Sequence, residues 1–373
     1  MNVISVAFKP LAPYDLFIHF SSYKLLEYVL KNVIIVVDIL TFERSFILPK
    51  IFIIPFFLLV LLVGCNDETT NKADDISQSN TESTDKESEE FLNTLPDSLK
   101  EQIAIQTGKT TKDITLSDFE QIRSLSIEEE DIDLKSIIPF MKNLESLNIS
   151  VTVSDWSFLN DTTNLKELSI VLNYLTDLTF IPELKKLESL RVSESNLKSL
   201  KGIEVLTNLK ILSISQNKVN ELSPLQKLPN LVDLDISYNQ IHSLAPIQYH
   251  DKLIHLIIDH NPIEDYSYLS KLINITFLSI TESNVSTLDF VSEMRDLQHL
   301  NINSTQIKDL SVLADKINLS YLDIRDTNVV TVKPLLPLEK LEFLILDKKS
   351  IQDWPLLENK EGLRISENII IAE

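Results

Sequence analysis

A strict repeat runs through most of this 373-residue chain and limits what it can fold into. An apolar residue leads each unit, a leucine follows three places later, and Ile, Val or Leu comes two places after that. Nine of the ten intervals between leading residues are 22 residues long, and one is 21. A unit this short cannot bury enough surface alone, so neighbouring units must stack around one continuous interior. The leading positions are Ile122, Leu144, Leu165, Leu187, Leu209, Leu231, Leu253, Ile275, Leu297, Leu319 and Leu341.

This LxxLxLxxNxL pattern is the signature of leucine-rich repeats, in which each unit, or rung, forms one short strand and a return segment. It predicts an α/β leucine-rich repeat solenoid: a right-handed superhelix with a parallel concave sheet and about 11 rungs over residues 122–362. Apolar residues at three-residue spacing predict 3₁₀ turns in the return segments. The ninth position often holds Asn, whose amide can bond backbone groups inside the turn. These residues, which we expect to be structural, are Asn173, Asn217, Asn239 and Asn261.

In two rungs, the inner column of the return segment holds a polar residue instead of leucine. His250 and Lys316 stand where other rungs have leucine, which predicts a loosened convex side, with a buried functional pair as the alternative.

Both ends of the repeat need a cap that covers the open edge of the sheet. Residues 91–121 are predicted to form a helical N-terminal cap, with Ser117 to Glu120 as the capping box of its second helix. Residues 363–373 are predicted to form the C-terminal cap.

An apolar run ahead of the repeat has the form of a secretory signal. Residues 51–63 read IFIIPFFLLVLLV after the basic Arg44 and Lys50, and Leu-Val-Gly-Cys follows. The ending resembles the bacterial lipobox, which implies that the Cys65 thiol is acylated and begins the mature chain. A transmembrane helix with a chance cysteine is the alternative. The resemblance implies a lipoprotein held at the extracellular face of the cell membrane, as in Gram-positive bacteria.

The remaining segments follow from this assignment. The signal spans residues 48–64, and the acidic stretch 65–90 is predicted to be a disordered tether, because it has almost no apolar residue to bury. Residues 1–47 leave two interpretations open. Translation starts near Leu48, or an extra hydrophobic segment from Val29 to Leu40 precedes the signal.

Composition removes several classes of function. A net charge of −21 argues against nucleic acid, whose binders concentrate Lys and Arg. One cysteine excludes a disulfide framework, and four glycines cannot build the usual nucleotide-binding loops. The periodic serines have no paired histidine, so we expect neither an enzyme nor a small-molecule substrate, and we predict no cofactor. His255, His260 and His299 are too widely spaced for a predicted metal site.

The unit LKILSISQNKVNELSPLQKLPN at residues 209–230 resembles the repeat of the bacterial internalin family. Ile105 to Lys109, followed by Asp113 to Thr115, resembles the helical cap that precedes such repeats. The resemblance covers residues 91 to about 363 and implies an extracellular solenoid that binds a protein ligand on its concave face. It departs from the family in having no LPxTG sorting signal and no room for an immunoglobulin-like domain after the repeats.

Alternate strand residues face outward on the concave sheet. In one outward column the last five rungs all carry ring side chains, whereas the first rungs carry mainly Ser and Glu. Exposed apolar patches mark interaction sites, and aromatic residues and Arg dominate interface energies. The predicted partner-binding residues are Asp233, Asp235, His255, Ile257, Asp259, Phe277, His299, Tyr321, Asp323, Arg325, Phe343 and Ile345.

Two functions remain open for such a surface. The aspartates, with Asp326, would rim the rings and favour a basic partner. An adhesion-type module that binds an unidentified protein is our main hypothesis. An envelope structural or sensing lipoprotein that acts on the bacterium's own surface is the alternative, and in that case the rings stack mainly to stabilise the sheet.

Overall fold

The structure is a computed structural model, and it describes residues 90–130, 132–181 and 184–367. The described residues all fall in one compact unit. The predicted signal, the tether, Cys65 and residues 1–47 lie outside the described residues. Among the helices that are described, none is long and apolar enough to cross a bilayer.

The rungs stack into one parallel sheet, as the repeat predicts. Within the described residues it has twelve strands, and each pairs with the next in chain order. The register follows the repeat, because Leu212 pairs with Leu234 and Leu234 pairs with Leu256. The strands are β1 Ser124–Ile127, β2 Ser146–Ile149, β3 Glu167–Val171, β4 Ser189–Ser193, β5 Ile211–Ser213, β6 Asp233–Asp235, β7 His255–Ile257, β8 Phe277–Ser279, β9 His299–Asn301, β10 Tyr321–Asp323, β11 Phe343–Ile345 and β12 Arg364–Ser366.

The return segments are mostly 3₁₀ turns, as predicted. Proline often stands at the first or second position of a turn, as in Ser223–Lys227, where its missing N–H leaves no bond unmade. The turns are Leu116–Gln121, Ile138–Phe140, Ser157–Asp161, Ile203–Val205, Ser223–Lys227, Ala245–Ile247, Ser267–Lys271, Asp289–Val291, Ser311–Leu313, Lys333–Leu335 and Trp354–Leu357. The first rung also has a short α-helix, Leu134–Ile137 (α2).

A single apolar core runs the length of the stack. Leu190, Leu234 and Leu300 of the invariant leucine position are fully buried, and so are Leu209 and Leu297 of the leading position. The interior is therefore the same from early rungs to late ones, and it depends on side chains from every rung.

The N-terminal cap closes the first strand with side chains rather than with another strand. Helix α1, Asp97–Thr107, ends at Gly108, whose φ of +70° suits glycine. Gln102 accepts a hydrogen bond from Ser126 N and donates to Ser126 O, both at 2.8 Å. One turn later, Gln106 donates to Ser124 O at 2.7 Å and accepts from Ser124 N at 3.2 Å. The two amides supply the partners that a neighbouring strand would give, so this sheet edge cannot pair with another chain.

The capping box of the second cap element begins two residues earlier than predicted. Thr115, not Ser117, is the N-cap of the turn Leu116–Gln121, and Asp118 occupies the third position. The Asp118 carboxylate accepts from Thr115 N and from Lys109 Nζ, both at 2.7 Å. Burial opposes ionisation of Asp118, but these hydrogen bonds outweigh it and lower its pKa.

The C-terminal region continues the sheet for one more strand than predicted. The repeat predicts about 11 rungs and a cap that begins at residue 363, whereas Arg364–Ser366 forms β12 and pairs with β11. Ile365 stands opposite Leu344 and takes the place of the invariant leucine. The repeat pattern does not reveal this rung, because glycine and isoleucine replace its two signature leucines.

His250 and Lys316 do not loosen the stack, contrary to our expectation. Both are buried, and each bonds a carbonyl of the preceding rung. The His250 ring lies 3.0 Å from Leu225 O, and Lys316 Nζ donates to Ser292 O at 2.6 Å. Lys360 does the same toward Leu336 O at 2.9 Å. These polar side chains therefore join successive return segments by hydrogen bonds.

Candidate binding surface

The asparagines of the ninth position are structural, as predicted. The buried Asn239 amide donates to Ile214 O, Ile236 O and Ser237 O, and its oxygen accepts from Val219 N. A second asparagine column, which sequence reasoning missed, precedes the leading residues and bonds carbonyls of the preceding rung. Its members are Asn143, Asn164, Asn208, Asn230 and Asn274. Neither column is available for ligand binding through these amide groups, because their hydrogen bonds hold the rungs together.

The five predicted rings lie side by side on the outer face of the sheet, the face that points away from the leucine core. We call His255, Phe277, His299, Tyr321 and Phe343 the ring ladder. Each member comes from one of the strands β7 to β11, and each is partly buried. The sheet register sets this alignment, because each ring residue pairs directly with the next.

The central rings stack face to face. The centroids of Phe277 and His299 are 4.4 Å apart, and those of His299 and Tyr321 are 3.8 Å apart with planes only 7° from parallel. His255 meets Phe277 edge to face at 5.9 Å, and Phe343 is tilted 40° from Tyr321 at 6.4 Å. The stacked faces are therefore occupied by neighbouring rings, and the ladder offers mainly ring edges to a ligand. Ring edges carry the positive end of the aromatic quadrupole and favour electron-rich groups or the face of another ring.

Charged side chains stand at both ends of the ring ladder. Nδ1 of His255 lies 3.3 Å from Oδ2 of Asp233 on the preceding rung. At the other end, the guanidinium of Arg364 lies over the Phe343 ring, 5.4 Å from its centroid. Burial, with a smaller contribution from His255, lowers the pKa of His299 to about 3, so this ring is neutral within the stack at pH 7.

Two further aspartates lie farther along the first strands of this surface, Asp235 at the end of β6 and Asp259 two residues after β7. The Asp235 carboxylate accepts from the Ser213 hydroxyl at 3.0 Å and from Ser237 N at 3.0 Å. The Asp259 carboxylate accepts from the Ser279 hydroxyl at 2.8 Å and from Thr281 N at 2.6 Å. Burial raises the pKa of both, and that of Asp259 rises to about 7 despite its hydrogen bonds. A cation placed beside these carboxylates would favour their ionised form.

Two predicted contact residues are not accessible. Asp323 is 1% exposed because Arg325 folds over it, with Nε donating to Oδ1 at 3.0 Å and Nη2 to Oδ2 at 2.5 Å. The ion pair neutralises its charge, so Asp323 does not form part of an acidic rim. Ile345 is fully buried in register between Asp323 and Ser366. Alternation along a strand predicts which face a side chain is on but not what covers it.

The other predicted residues stay at least partly exposed. Asp233, Asp235, Ile257, Asp259 and Arg325 are all half-buried, like the rings. Sequence reasoning missed Ile254, an exposed isoleucine that comes directly before His255. It also missed a second stack at the far end of the strands, where Tyr238 lies over His260 at 3.9 Å and His260 pairs with Glu282 at 3.1 Å. The same repeat spacing places Ile254 and the Tyr238–His260 stack in other columns of the sheet, so comparing every column would have predicted them.

The first rungs present a different outer face. The same column holds Ser146, Glu167, Ser189 and Ile211 on β2 to β5. Within the described residues, no group of three or more His, Cys, Asp or Glu side chains is placed to hold a metal ion.

Comparison with known proteins agrees with this architecture. The family described as leucine-rich repeats (two copies) matches residues 207–249. The fold is similar to the internalin InlF of Listeria monocytogenes, with 26% identity over 73% of this chain and 95% of that chain, at a TM-score of 0.58. It is also similar to the functional domain of InlJ from the same species, with 20% identity over 70% of this chain and 62% of that chain, at a TM-score of 0.50. No curated protein matches the sequence.

Proposed function

We propose that this internalin-like leucine-rich repeat protein is a lipid-anchored, extracellular module that binds a protein ligand of adhesion type through the concave face of its sheet. Leucine-rich repeat proteins of this kind are protein-binding modules. For this chain we propose the lipid anchor, the extracellular location and binding at the concave face. The ring ladder is the one observation that carries it.

The ring ladder supports binding for a physical reason. Stacking of rungs depends on the inner leucines and on the hydrogen bonds of the asparagine columns, and the first rungs stack with Ser and Glu in the same outer column. Five ring residues on successive strands therefore exceed what the fold needs. Because the rings also stack on one another, they form a rigid ridge that loses little side-chain entropy when a partner binds.

Charges beside the ridge favour one kind of partner. Asp233 places a carboxylate next to His255, and Asp235 and Asp259, whose pKa values are raised, lie farther along the same two strands. A Lys or Arg side chain of the partner would offset the unfavourable burial of these charges. The partner that fits best presents basic side chains to this end and an apolar or aromatic surface to the ring edges.

The anchor is a separate part of the proposal. The Leu-Val-Gly-Cys ending at Cys65 supports acylation. Cys65→Ala should abolish labelling of the chain by a radioactive fatty acid. Unchanged labelling of the variant would contradict this assignment.

Crosslinking capture tests the binding proposal. The full chain, held in mild detergent, would be incubated with envelope fractions and separately with foreign cell lysates. A variant with Phe277, Tyr321 and Phe343 all replaced by Ala would be run beside it, with Ser146, Ser189 and Ser213 all replaced by Ala as the matched control. We expect a protein captured by the wild type and the serine variant but not by the ring variant. Equal capture by all three would contradict the role of the ring ladder.

The same experiment separates the two functional classes. Capture from foreign cells alone supports adhesion, whereas capture from the envelope alone supports the structural or sensing alternative. If no protein is captured from either fraction and the ring variant is less stable than the wild type, the rings only stabilise the sheet.

A further inference from the structure

A cavity of about 310 Å³ opens at the opposite end of the solenoid from the ring ladder, between the first two rungs. Its origin lies in the asparagine column of the ninth position. That column begins with the buried Asn173, whereas the equivalent positions of the two preceding rungs hold Glu130 and Thr152, which are exposed. The Asn173 amide bonds Val153 N and Val151 O and so ties the second turn to the third rung, but Thr152 has no amide to tie the first turn to the second, and the edge stays open between them.

The lining of the cavity combines apolar and polar side chains. Its apolar residues are Ile127, Ile132, Leu134, Val151 and Val153, and its polar residues are Glu129, Asp133, Lys135, Thr152, Ser154 and Asp155. At the margin, the ammonium of Lys135 pairs with the carboxylate of Asp155. The lining thus offers a site for one aliphatic or aromatic side chain.

Two large side chains of the third rung lie exposed in register with this edge. Leu172 stands one rung after Val151 in the register of β2 and β3, and it is 55% exposed. Its φ of +59° is left-handed, as it is at the equivalent residues Glu194 and Gln216 of the next two rungs, so this conformation belongs to the repeat. Tyr174, two residues later, is 79% exposed. Neither large side chain is buried by the fold, so their presence at this edge calls for another explanation.

The charge around the cavity indicates what would bind. Glu128, Glu129, Glu130 and Asp133 are exposed beside it, while the one lysine of its lining already has an acidic partner. The cavity therefore combines apolar side chains with a negative margin, and it complements an apolar side chain flanked by Lys or Arg.

We propose that this edge is a second binding site, for a peptide segment in which an aliphatic or aromatic residue is flanked by basic residues. The apolar side chain enters the cavity between the first two rungs, and its neighbour in the peptide packs against Leu172 and Tyr174. The basic residues lie beside the exposed carboxylates. The site does not depend on the ring ladder, so the two can be tested separately.

Peptides of known sequence test this site on the full chain in mild detergent. The probe is a fluorescent hexapeptide with Leu-Phe between two pairs of lysines, and one control peptide has Gly-Gly in place of Leu-Phe. Fluorescence polarisation should show saturable binding of the probe and at least about tenfold weaker binding of the control, because the apolar contact is lost. Equal binding of the two peptides, or no binding of the probe at millimolar concentration, would overturn the proposal.

Variants locate the peptide on the protein. The double variant Leu172→Asn and Tyr174→Ser should weaken binding of the probe about tenfold, and asparagine suits the left-handed backbone at position 172. The variant with the three ring residues replaced by Ala should bind the probe as the wild type does. Methyl NMR should show shifts at Ile132 and Val153 but not at Ile257 when the probe is added. Shifts at Ile257 alone, or loss of binding only in the ring variant, would place the peptide on the ring ladder and contradict the second site.

Discussion

The early and late rungs of the sheet share one interior and differ on the outer face. In β2 to β5 the column before the invariant leucine is mostly polar, whereas in β7 to β11 it holds the ring ladder. The invariant leucines are fully buried in both halves, so the rungs stack equally well under either kind of surface. The inner residues therefore specify the solenoid under either kind of outer column.

The largest effect should come from the shared interior. Leu190 of β4 and Leu300 of β9 are both fully buried. Replacing either with Ala should lower the free energy of unfolding by about 2–5 kcal/mol, because a cavity is left in a continuous core. Urea denaturation of the two variants measures this. If only one of them is strongly destabilised, the two halves do not share an equivalent interior.

A smaller loss should follow when one amide of the asparagine column is removed. Asn239→Ala leaves Val219 N without its partner and removes one of the donors to Ile214 O and Ile236 O, which should destabilise the fold by about 1–3 kcal/mol. Thr152→Ala is the matched control at the equivalent exposed position of the second rung, where a change within about 0.5 kcal/mol is expected. Equal losses in the two variants would show that the early rungs are tied together as the later ones are.

The outer column should contribute to stability only in its aromatic half. Tyr321→Ala removes a ring that stacks on His299 and contacts Phe343, and should cost about 0.5–1.5 kcal/mol beyond the loss of buried area. Ser146→Ala, in the same column on β2, is the control and should change stability by less than about 0.5 kcal/mol. Thermal unfolding of both distinguishes them. No loss in the tyrosine variant would mean that the observed stacking adds nothing measurable.

The smallest effect should be that of pH on stability. It should have opposite signs for a carboxylate of the sheet region and for one of the N-terminal cap. The pKa of Asp259 is raised to about 7, so its contribution to stability is complete below its unfolded pKa and is lost as the pH rises through about 7. The pKa of Asp118 in the N-terminal cap is lowered, so its contribution is present above the unfolded pKa and is lost in acid. Asp259→Asn should therefore raise the melting temperature relative to the wild type at pH 8 but not at pH 5. A difference that is the same at both pH values would contradict the raised pKa.

The repeat spacing predicts most of the fold because each inner position has a fixed direction. Leu212, Leu234 and Leu256 come into register as the 22-residue period requires, and the alignment of the rings follows from the same period. What covers a side chain was not predictable in this way. Asp323 is hidden by Arg325, two residues along its own strand, and this depends on the conformation of one arginine.

Features without a repeat were also missed. Gln102 and Gln106 act on β1 through spacing on a helix outside the repeat, and nothing in the strand pattern indicates them. The cavity of the first rungs arises from residues that depart from the asparagine pattern, so the pattern does not predict it. The sequence predicted the ring ladder as a site, but not that the rings would turn their edges outward.

We expect the ring ladder of the late rungs to supply most of the binding energy, and the affinity of ring-ladder variants for the captured partner measures its share. Titration calorimetry would compare the full chain with the ring variant (Phe277, Tyr321 and Phe343 to Ala) and the serine variant (Ser146, Ser189 and Ser213 to Ala), with circular dichroism confirming that each is folded. We predict that the ring variant loses at least about a hundredfold in affinity, equivalent to about 2.7 kcal/mol, while the serine variant binds as the wild type does. A folded ring variant with unchanged affinity would contradict the account.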